Sequence, residues 1–204
     1  GRDFFYFEEI DSTNAFLMKN ADSYYHGSVI CTKYQLKGKG RLDHKWFGEK
    51  DKSLLFSILI KEKMKPEIKV KIVFAFACAI KLAIHKLYKI VTGVKWPNDI
   101  YYEDRKLAGI LCESSNDYVV AGAGINVNQD LFPEEINSIA TSLLQISGFE
   151  FELLKILANF LNIFEDIMET LQKEGFYPIR EEIMKNFYLS DKQVLIETGK
   201  EKIS

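Results

Sequence analysis

Cysteine is scarce in this 204-residue chain: Cys31, Cys78 and Cys112 lie far apart in apolar stretches, an odd count with no Cys-x-x-Cys pair. That argues against a disulfide framework or a thiolate metal site and marks the three as reduced core residues of a cytoplasmic protein. Histidine is equally sparse, and His26, His44 and His85 share no ligand spacing, so no zinc site is expected. Positive charge is not in excess either. Lys and Arg number 27 against 29 Asp and Glu, which leaves no broad basic field for sequence-independent nucleic-acid binding. The most apolar stretch, residues 70–87, is interrupted by Lys71, Lys81, His85 and Lys86, and it reads as a buried helix rather than a membrane span. Residues 1–10 have too short an apolar run and too acidic a flank for a signal peptide. No repeat and no low-complexity segment is visible, and the length suits one main domain.

What is there is a mixture of strand and helix patterns. Residues 4–10 read as a strand, after which Asp11 or Ser12 can cap a short helix carrying Ala15, Phe16, Leu17 and Met18. Residues 28–34 and 54–60 are β-rich and flank a long, basic, glycine-containing loop, 35–53. A helix over 70–88 follows. Two β segments then flank the turn Pro97-Asn98-Asp99, and residues 118–127 form a further strand. Apolar residues recur at helical spacing from 151 to 174 until Gly175 stops them, and Pro178 opens a short helix through Met184. Residues 193–204 look like one hairpin. The expected class is α+β, a mixed β-sheet flanked by helices, and not a repeating βαβ array.

Three clusters carry chemistry. Lys106 sits on a strand beside the polar, proline-bent corner, followed by an apolar run, so its charge belongs at the mouth of whatever the strand lines and needs an anionic partner. The loop Gln35 to Trp46 combines Gly38 and Gly40 with Lys37, Lys39, Arg41 and Lys45, a composition suited to an anion. It lacks the spacing of a Walker A loop. Gly122-Ala123-Gly124-Ile125-Asn126 lacks the third glycine of a dinucleotide fingerprint.

Taken in order, Ser12-Thr13-Asn14, Gln35 with Gly38-Lys39-Gly40-Arg41 and Trp46, Lys95-Trp96-Pro97-Asn98-Asp99 with Arg105-Lys106-Leu107-Ala108-Gly109, and Gly122 to Asn128 resemble the biotin protein ligase family. The likeness spans roughly residues 8–190. It implies a fold related to class II aminoacyl-tRNA synthetases, with residues 1–188 as the catalytic domain and 189–204 as at most the start of a small carboxy-terminal β-barrel. It also implies an ATP-dependent reaction that makes biotinyl-5′-AMP and passes the biotinyl group to a lysine of a biotin carboxyl carrier domain, with Mg²⁺ as cofactor. A lipoate or octanoate ligase or transferase is the rival within the superfamily, and a non-catalytic biotin-binding protein is the rival outside it.

By the same resemblance, Lys106, Arg41 and Lys39 are the catalytic cations. Ser12, Thr13, Asn14, Gln35, Lys39, Gly40, Arg41, Lys106, Gly109, Gly122 and Gly124 hold biotin. Lys39, Gly40, Arg41, Trp46, Asn98, Lys106, Asn126 and Asn128 hold ATP or the adenylate, and Asp99 is a candidate Mg²⁺ contact. The family loop commonly reads Gly-Arg-Gly-Arg-Arg-Gly-Arg; here Lys39 keeps a charge but loses a guanidinium fork, and Leu42, Asp43 and His44 dilute the basic run. No helix-turn-helix pattern precedes residue 8, so no DNA-binding role is expected, no membrane attachment is expected, and a homodimer is compatible with the pattern.

Overall fold

A computed structural model describes residues 3–61, 64–190, 192–193, 196–198 and 201–203. In chain order the elements are β1 (Phe4–Phe7), α1 (Thr13–Asn20), β2 (Val29–Thr32), β3 (Ser53–Ile60), α2 (Pro66–Lys69), α3 (Ile72–Tyr88), β4 (Gly93–Lys95), β5 (Asp99–Tyr102), β6 (Arg105–Ser114), β7 (Val119–Asn126), α4 (Glu134–Asn137), α5 (Leu143–Ser147), α6 (Leu153–Lys173), α7 (Tyr177–Met184), β8 (Ile196–Thr198) and β9 (Glu201–Ile203). Seven strands form one sheet in the order β1-β2-β3-β7-β6-β5-β4. β1 runs parallel to β2 and every other neighbouring pair is antiparallel, so the sheet is mixed.

The central strands β3 and β7 are buried at every position, which explains their nearly continuous apolar sequences. Period-two alternation divides their side chains between two layers. Leu54, Phe56, Ile58 and Ile60, with Val119, Ala121, Ala123 and Ile125, share a core with α3 and α6. There the Phe56 ring meets Phe76 and Phe160 at 5.7 and 4.9 Å between centroids. Each of these fully buried rings contributes about 1.5–3 kcal/mol by leaving water. On the opposite face Leu59 and Val120 pack under Leu17 of α1. Farther along that face the outward positions are Gly122 and Gly124 of β7 and Gly109 of β6, which leave a trough.

A register irregularity aims a charge into that trough. Ile100 pairs with Ala108 but Tyr101 pairs with Lys106, so Leu107 is an extra residue on β6, a β-bulge. Leu107 and Ala108 both pack in the helix-side core, and Lys106 therefore lies on the same face as Gly109. In an unbulged strand Lys106 would share the face of Ala108 and point into the apolar layer. On the other side of β6, past its last pairing with β7 at Ala108 and Ile125, the segment before α5 takes up the Lys106 backbone: Lys106 N–H donates to Ile139 O at 2.7 Å, and Thr141 N–H donates to Lys106 O at 2.9 Å.

α7 is pinned to α3 by a buried ion pair, Lys81 Nζ to Glu182 Oε1 at 2.7 Å, with the Lys81 side chain only 6% exposed. Lys185 takes the other Glu182 oxygen. Burial pushes the Glu182 carboxyl up, but the hydrogen bonds from Lys185 and Lys81 outweigh it and hold the group below its ordinary value. Beyond α7, residues 186–188 pair alongside the edge strand β4 at Val94, with Val94 N–H donating to Asn186 O and Tyr188 N–H to Val94 O. Tyr188 and Lys192 then both donate to Asp104 Oδ1 at 2.9 Å.

The α+β class, the mixed sheet and the helices expected around 70–88 and 151–174 are all present. Four details differ. The first strand stops at Phe7, and Ile10 makes only an isolated bridge to Gln35. The β region after residue 93 has a second turn, at Glu103 and Asp104, so three strands, β4, β5 and β6, stand where the pattern suggested two segments around one corner. The 35–53 loop contains a small closed hairpin, with Trp46 N–H donating to Gly38 O and Gly40 N–H to His44 O at 2.9 and 2.7 Å. Residues 129–150 hold α4 and α5. The terminal hairpin is represented by the pairing of β8 with β9, and its turn residues 199–200 lie outside the described residues.

Candidate active site

The trough is a cavity of about 320 Å³ walled by the 35–46 hairpin, the start of α1 and the turn between β4 and β5. Its floor is glycine for steric reasons. A Cβ on Gly124 would lie 2.3 Å from Trp46 Cε2, and one on Gly109 would lie 2.8 Å from Trp46 Cζ3. A Cβ on Gly122 would lie 2.0 Å from Asn14 Oδ1. The indole of Trp46 is thus laid flat enough on β6 and β7 that only glycine fits beneath it.

At one end the lining is cationic. Lys106 Nζ lies 2.7 Å from Asp99 Oδ1, with the two side chains 31% and 22% exposed, and 5.6 Å from the centroid of the Trp46 ring. Asp99 is therefore the anionic partner expected for this lysine. Arg41 donates to Asn98 Oδ1 at 3.3 Å. Asn98 is held by Ile110 at both ends, its Nδ2 donating to Ile110 O at 2.8 Å and its carbonyl accepting from Ile110 N–H at 2.9 Å. Lys39 and Gly40 belong to the same wall, and Lys39 bridges to Lys45 across the hairpin.

The other end is uncharged and polar. Ser12 caps α1, its Oγ accepting from Ala15 N–H at 3.4 Å. Gln35 Oε1 accepts from Thr13 N–H at 2.8 Å and from Thr13 Oγ1 at 3.1 Å. Asn14 donates to Leu111 O and to Glu113 Oε2 at 3.1 and 2.8 Å. Ser57, buried on β3, lies 2.7 Å from Thr13 Oγ1 and 2.6 Å from Asn14 Oδ1.

Most of the residues singled out in the sequence meet here: Ser12, Thr13, Asn14 and Gln35 at the polar end, Lys39, Gly40, Arg41, Asn98, Asp99 and Lys106 at the charged end, and Trp46, Gly109, Gly122 and Gly124 between them. Asn126 and Asn128 do not line the cavity. Asn126 is buried and donates to Thr141 O at 3.0 Å, and Asn128 pairs both ways with the Phe151 backbone at 2.9 Å. Their amides brace the segments on either side of α5. Ser57 and Glu113 went unrecognised because each sits in an ordinary strand pattern; the only signal was a polar residue at an inward position of β3.

Burial pushes the thiols of Cys31, Cys78 and Cys112 up to about 12, so none is poised as a nucleophile. Among the described residues no group of three or more His, Cys, Asp or Glu could hold a metal ion, and no helix is long and apolar enough to cross a membrane.

Residues 6–130 match the model of the biotin/lipoate A/B protein ligase family. The bifunctional ligase/repressor BirA of Escherichia coli is 30% identical over 87% of this chain and 58% of its own length. The biotin–[acetyl-CoA-carboxylase] ligase of Mycobacterium tuberculosis is 34% identical over 66% of this chain and 52% of its own. The chain thus spans roughly half the length of the curated relatives it matches. Among solved structures, the biotin protein ligase from Aquifex aeolicus in complex with biotin and ATP superposes with a TM-score of 0.90 at 27% identity, covering 100% of this chain and 85% of that one. The mixed seven-stranded sheet is that of the biotin protein ligases, and the chain belongs to the biotin/lipoate A/B protein ligase family.

Proposed function

We propose that the chain is an ATP-dependent ligase that activates biotin as biotinyl-5′-AMP and transfers the biotinyl group to a lysine of a biotin carboxyl carrier domain. The observation that carries this reading is a single cavity with cations at one end and neutral hydrogen-bonding groups at the other. A carboxylate attacking the α-phosphorus of ATP meets like charge, so catalysis there is mostly neutralisation and alignment. Lys106, turned into the cavity by the bulge, stands where both anions would converge, with Lys39 and Arg41 on the facing wall. The carboxylate oxygen bonds to the α-phosphorus as the bond to pyrophosphate breaks. An acceptor amine then bonds to the acyl carbon, AMP leaves with the electron pair, and the amine loses a proton.

Mg²⁺ travelling with the nucleotide phosphates needs few protein ligands. Asp99 is the one described carboxylate in the lining and suits that part, and the metal would add charge neutralisation at the phosphates. The polar end suits the two N–H groups and carbonyl of a cyclic urea better than the dithiolane of lipoate, which offers neither. Four cations around one cavity, Lys39, Arg41, Lys45 and Lys106, also exceed what a simple biotin binder would use. In the same reading residues 1–188 form the catalytic unit and residues 189–204 begin a second β unit, a division supported by β8 pairing, among the described residues, with β9 alone. Three unpaired thiols fit a cytoplasmic setting.

The test is biotin-dependent exchange of labelled pyrophosphate into ATP, run beside lipoate and beside Lys106→Ala. Biotin should support exchange, lipoate should not, and the variant should lose it by about a hundredfold or more, as for loss of a charged group acting on the transition state. Exchange with lipoate alone, or biotin binding with no exchange, would overturn the assignment.

A further inference from the structure

Asn14 has no hydrogen left for a ligand. Both Nδ2 hydrogens are spent, one on Leu111 O at 3.1 Å and one on Glu113 Oε2 at 2.8 Å. This fixes which way the amide faces, because a flipped Asn14 would set its oxygen against two acceptors. Oδ1 is thereby turned to Ser57 Oγ, 2.6 Å away. Ser57 carries one proton and has two acceptors in reach, Asn14 Oδ1 and Thr13 Oγ1 at 2.7 Å. Asn14 Oδ1 has no hydrogen of its own, so the Ser57 proton belongs to it.

The Thr13 proton then goes to Ser57 Oγ or to Gln35 Oε1, and Thr13 Oγ1 is left with a lone pair that no described donor fills. Gln35 is oriented in the same way. Its Oε1 takes the Thr13 N–H at 2.8 Å, which leaves its Nε2 as a donor. Thr13 Oγ1 thus offers an acceptor and Gln35 Nε2 a donor at the polar end, matched to an N–H and a carbonyl of a ring. Gly122 makes the arrangement possible, since a Cβ there would lie 2.0 Å from Asn14 Oδ1 and 2.6 Å from Ser57 Oγ.

We infer that Glu113 is a positioning residue for substrate recognition: without touching the ligand, it holds Asn14 in the one orientation that makes Ser57 donate and leaves Thr13 free to accept a ring N–H. The inference rests on the proposed biotin ligase reading and adds a specificity determinant to it. Without the carboxylate at 113, Asn14 Nδ2 keeps only Leu111 O, at 3.1 Å, and the preference for this orientation over the flipped one falls. In the flipped orientation Nδ2 would face Ser57, the hydroxyl chain would reverse so that Ser57 donates to Thr13 Oγ1 and Thr13 to Gln35 Oε1, and Thr13 would meet the ligand's N–H with one lone pair already filled.

The experiment measures KM for biotin, KM for ATP and kcat of pyrophosphate exchange in the parent, Glu113→Leu and Glu113→Gln. It also measures the binding of a chain-matched carboxylic acid with no ring urea. Glu113→Leu should raise the KM for biotin about ten- to a hundredfold, the usual effect of misplacing a hydrogen bond with a charged partner. The KM for ATP and the binding of the urea-free acid should stay near the parent values. Glu113→Gln, whose Oε1 can still accept from Asn14, should restore biotin use to within about threefold. A Glu113→Leu enzyme with the parent's KM for biotin overturns the inference. So does an equal loss towards biotin, ATP and the urea-free acid, or a Glu113→Gln variant as impaired as Glu113→Leu. Parent enzyme without biotin-dependent exchange instead defeats the ligase reading, and the role of Glu113 built on it falls with it.

Discussion

Replacing Gly124 by alanine tests whether Trp46 is seated on the cavity floor. The backbone there tolerates any residue, since the left-handed glycines are Gly27, Gly148 and Gly175, so the effect must come from packing alone. The new methyl would fall 2.3 Å from Cε2, 2.4 Å from Nε1 and 2.7 Å from Cζ2 of Trp46. Ordinary carbon contacts lie at about 3.5–4.0 Å, so the ring must retreat by an ångström or more. β7 is the centre of the sheet and cannot yield, whereas Trp46 belongs to a surface hairpin that can. The cost in stability should therefore stay near 1 kcal/mol, at the low end for overpacking, while the cover over Lys106 is lost. Each 1.4 kcal/mol of lost transition-state contact is tenfold in rate, and we expect kcat/KM for pyrophosphate exchange to fall at least about tenfold. The chain has two tryptophans, and Trp96 is 61% exposed, so a Trp96→Phe background leaves Trp46 as the only indole reporter. In that background Gly124→Ala should shift the emission to the red. Unchanged emission with unchanged exchange would refute the seating of the ring.

Glu182→Gln should lower stability by about 1–3 kcal/mol at neutral pH, since it weakens a mostly buried ion pair. The carboxyl is held below its ordinary value of 4.5 in the folded chain, so its contribution is complete above that value and fades as pH falls through the folded value. Melts of parent and variant should converge as the pH is taken well below 4.5, and a constant gap would contradict the assignment. Asn128→Ala should cost about 1–2 kcal/mol through its two bonds to the Phe151 backbone and leave the KM for biotin and ATP unmoved; a KM change at parental stability would return Asn128 to the site. Arg41→Gly removes the bond to Asn98 and should let biotinyl-adenylate escape faster, read as labelling of a bystander protein without carrier domain. Release at the parent's rate would mean that Arg41 does not retain the intermediate.

How much of this was legible in the sequence follows from which interactions are local. The Ser12 cap, the glycine floor of β7 and the stripe of α6 each write themselves into a short pattern. Lys106 could be placed on a strand, but the face it occupies depends on Leu107 being skipped in the pairing with β5, and nothing in Lys106-Leu107-Ala108-Gly109 marks which residue is the extra one. Asn126 and Asn128 are expected in the site only through the family resemblance of Gly122 to Asn128. Their partners, Thr141 and Phe151, lie 15 and 23 residues away in a stretch whose two short helices carry little periodicity. Glu113 matters through Asn14, 99 residues distant, and Ser57 through Asn14 and Thr13, 43 and 44 residues distant, separations at which a single sequence carries no signal.

The pairing of β3 with β7 joins Ser53 to Asn126 and is the seam along which the cavity is assembled. The polar end, Thr13 to Gln35, and the Trp46 hairpin lie before that seam in the chain; Asn98, Lys106 and the glycine floor lie after it. A polypeptide cut in the helical stretch between the two strands would yield one piece holding the ring-recognising groups and another holding the strand lysine, each with a raw central sheet edge. Neither piece could bind ligand with the affinity of the whole, because the 35–46 hairpin and the start of α1 fall on one side of the cut, and the glycine floor with the turn between β4 and β5 on the other. Substrate would then act as a tether between fragments, and ligase activity recovered on mixing them would read out their reassembly.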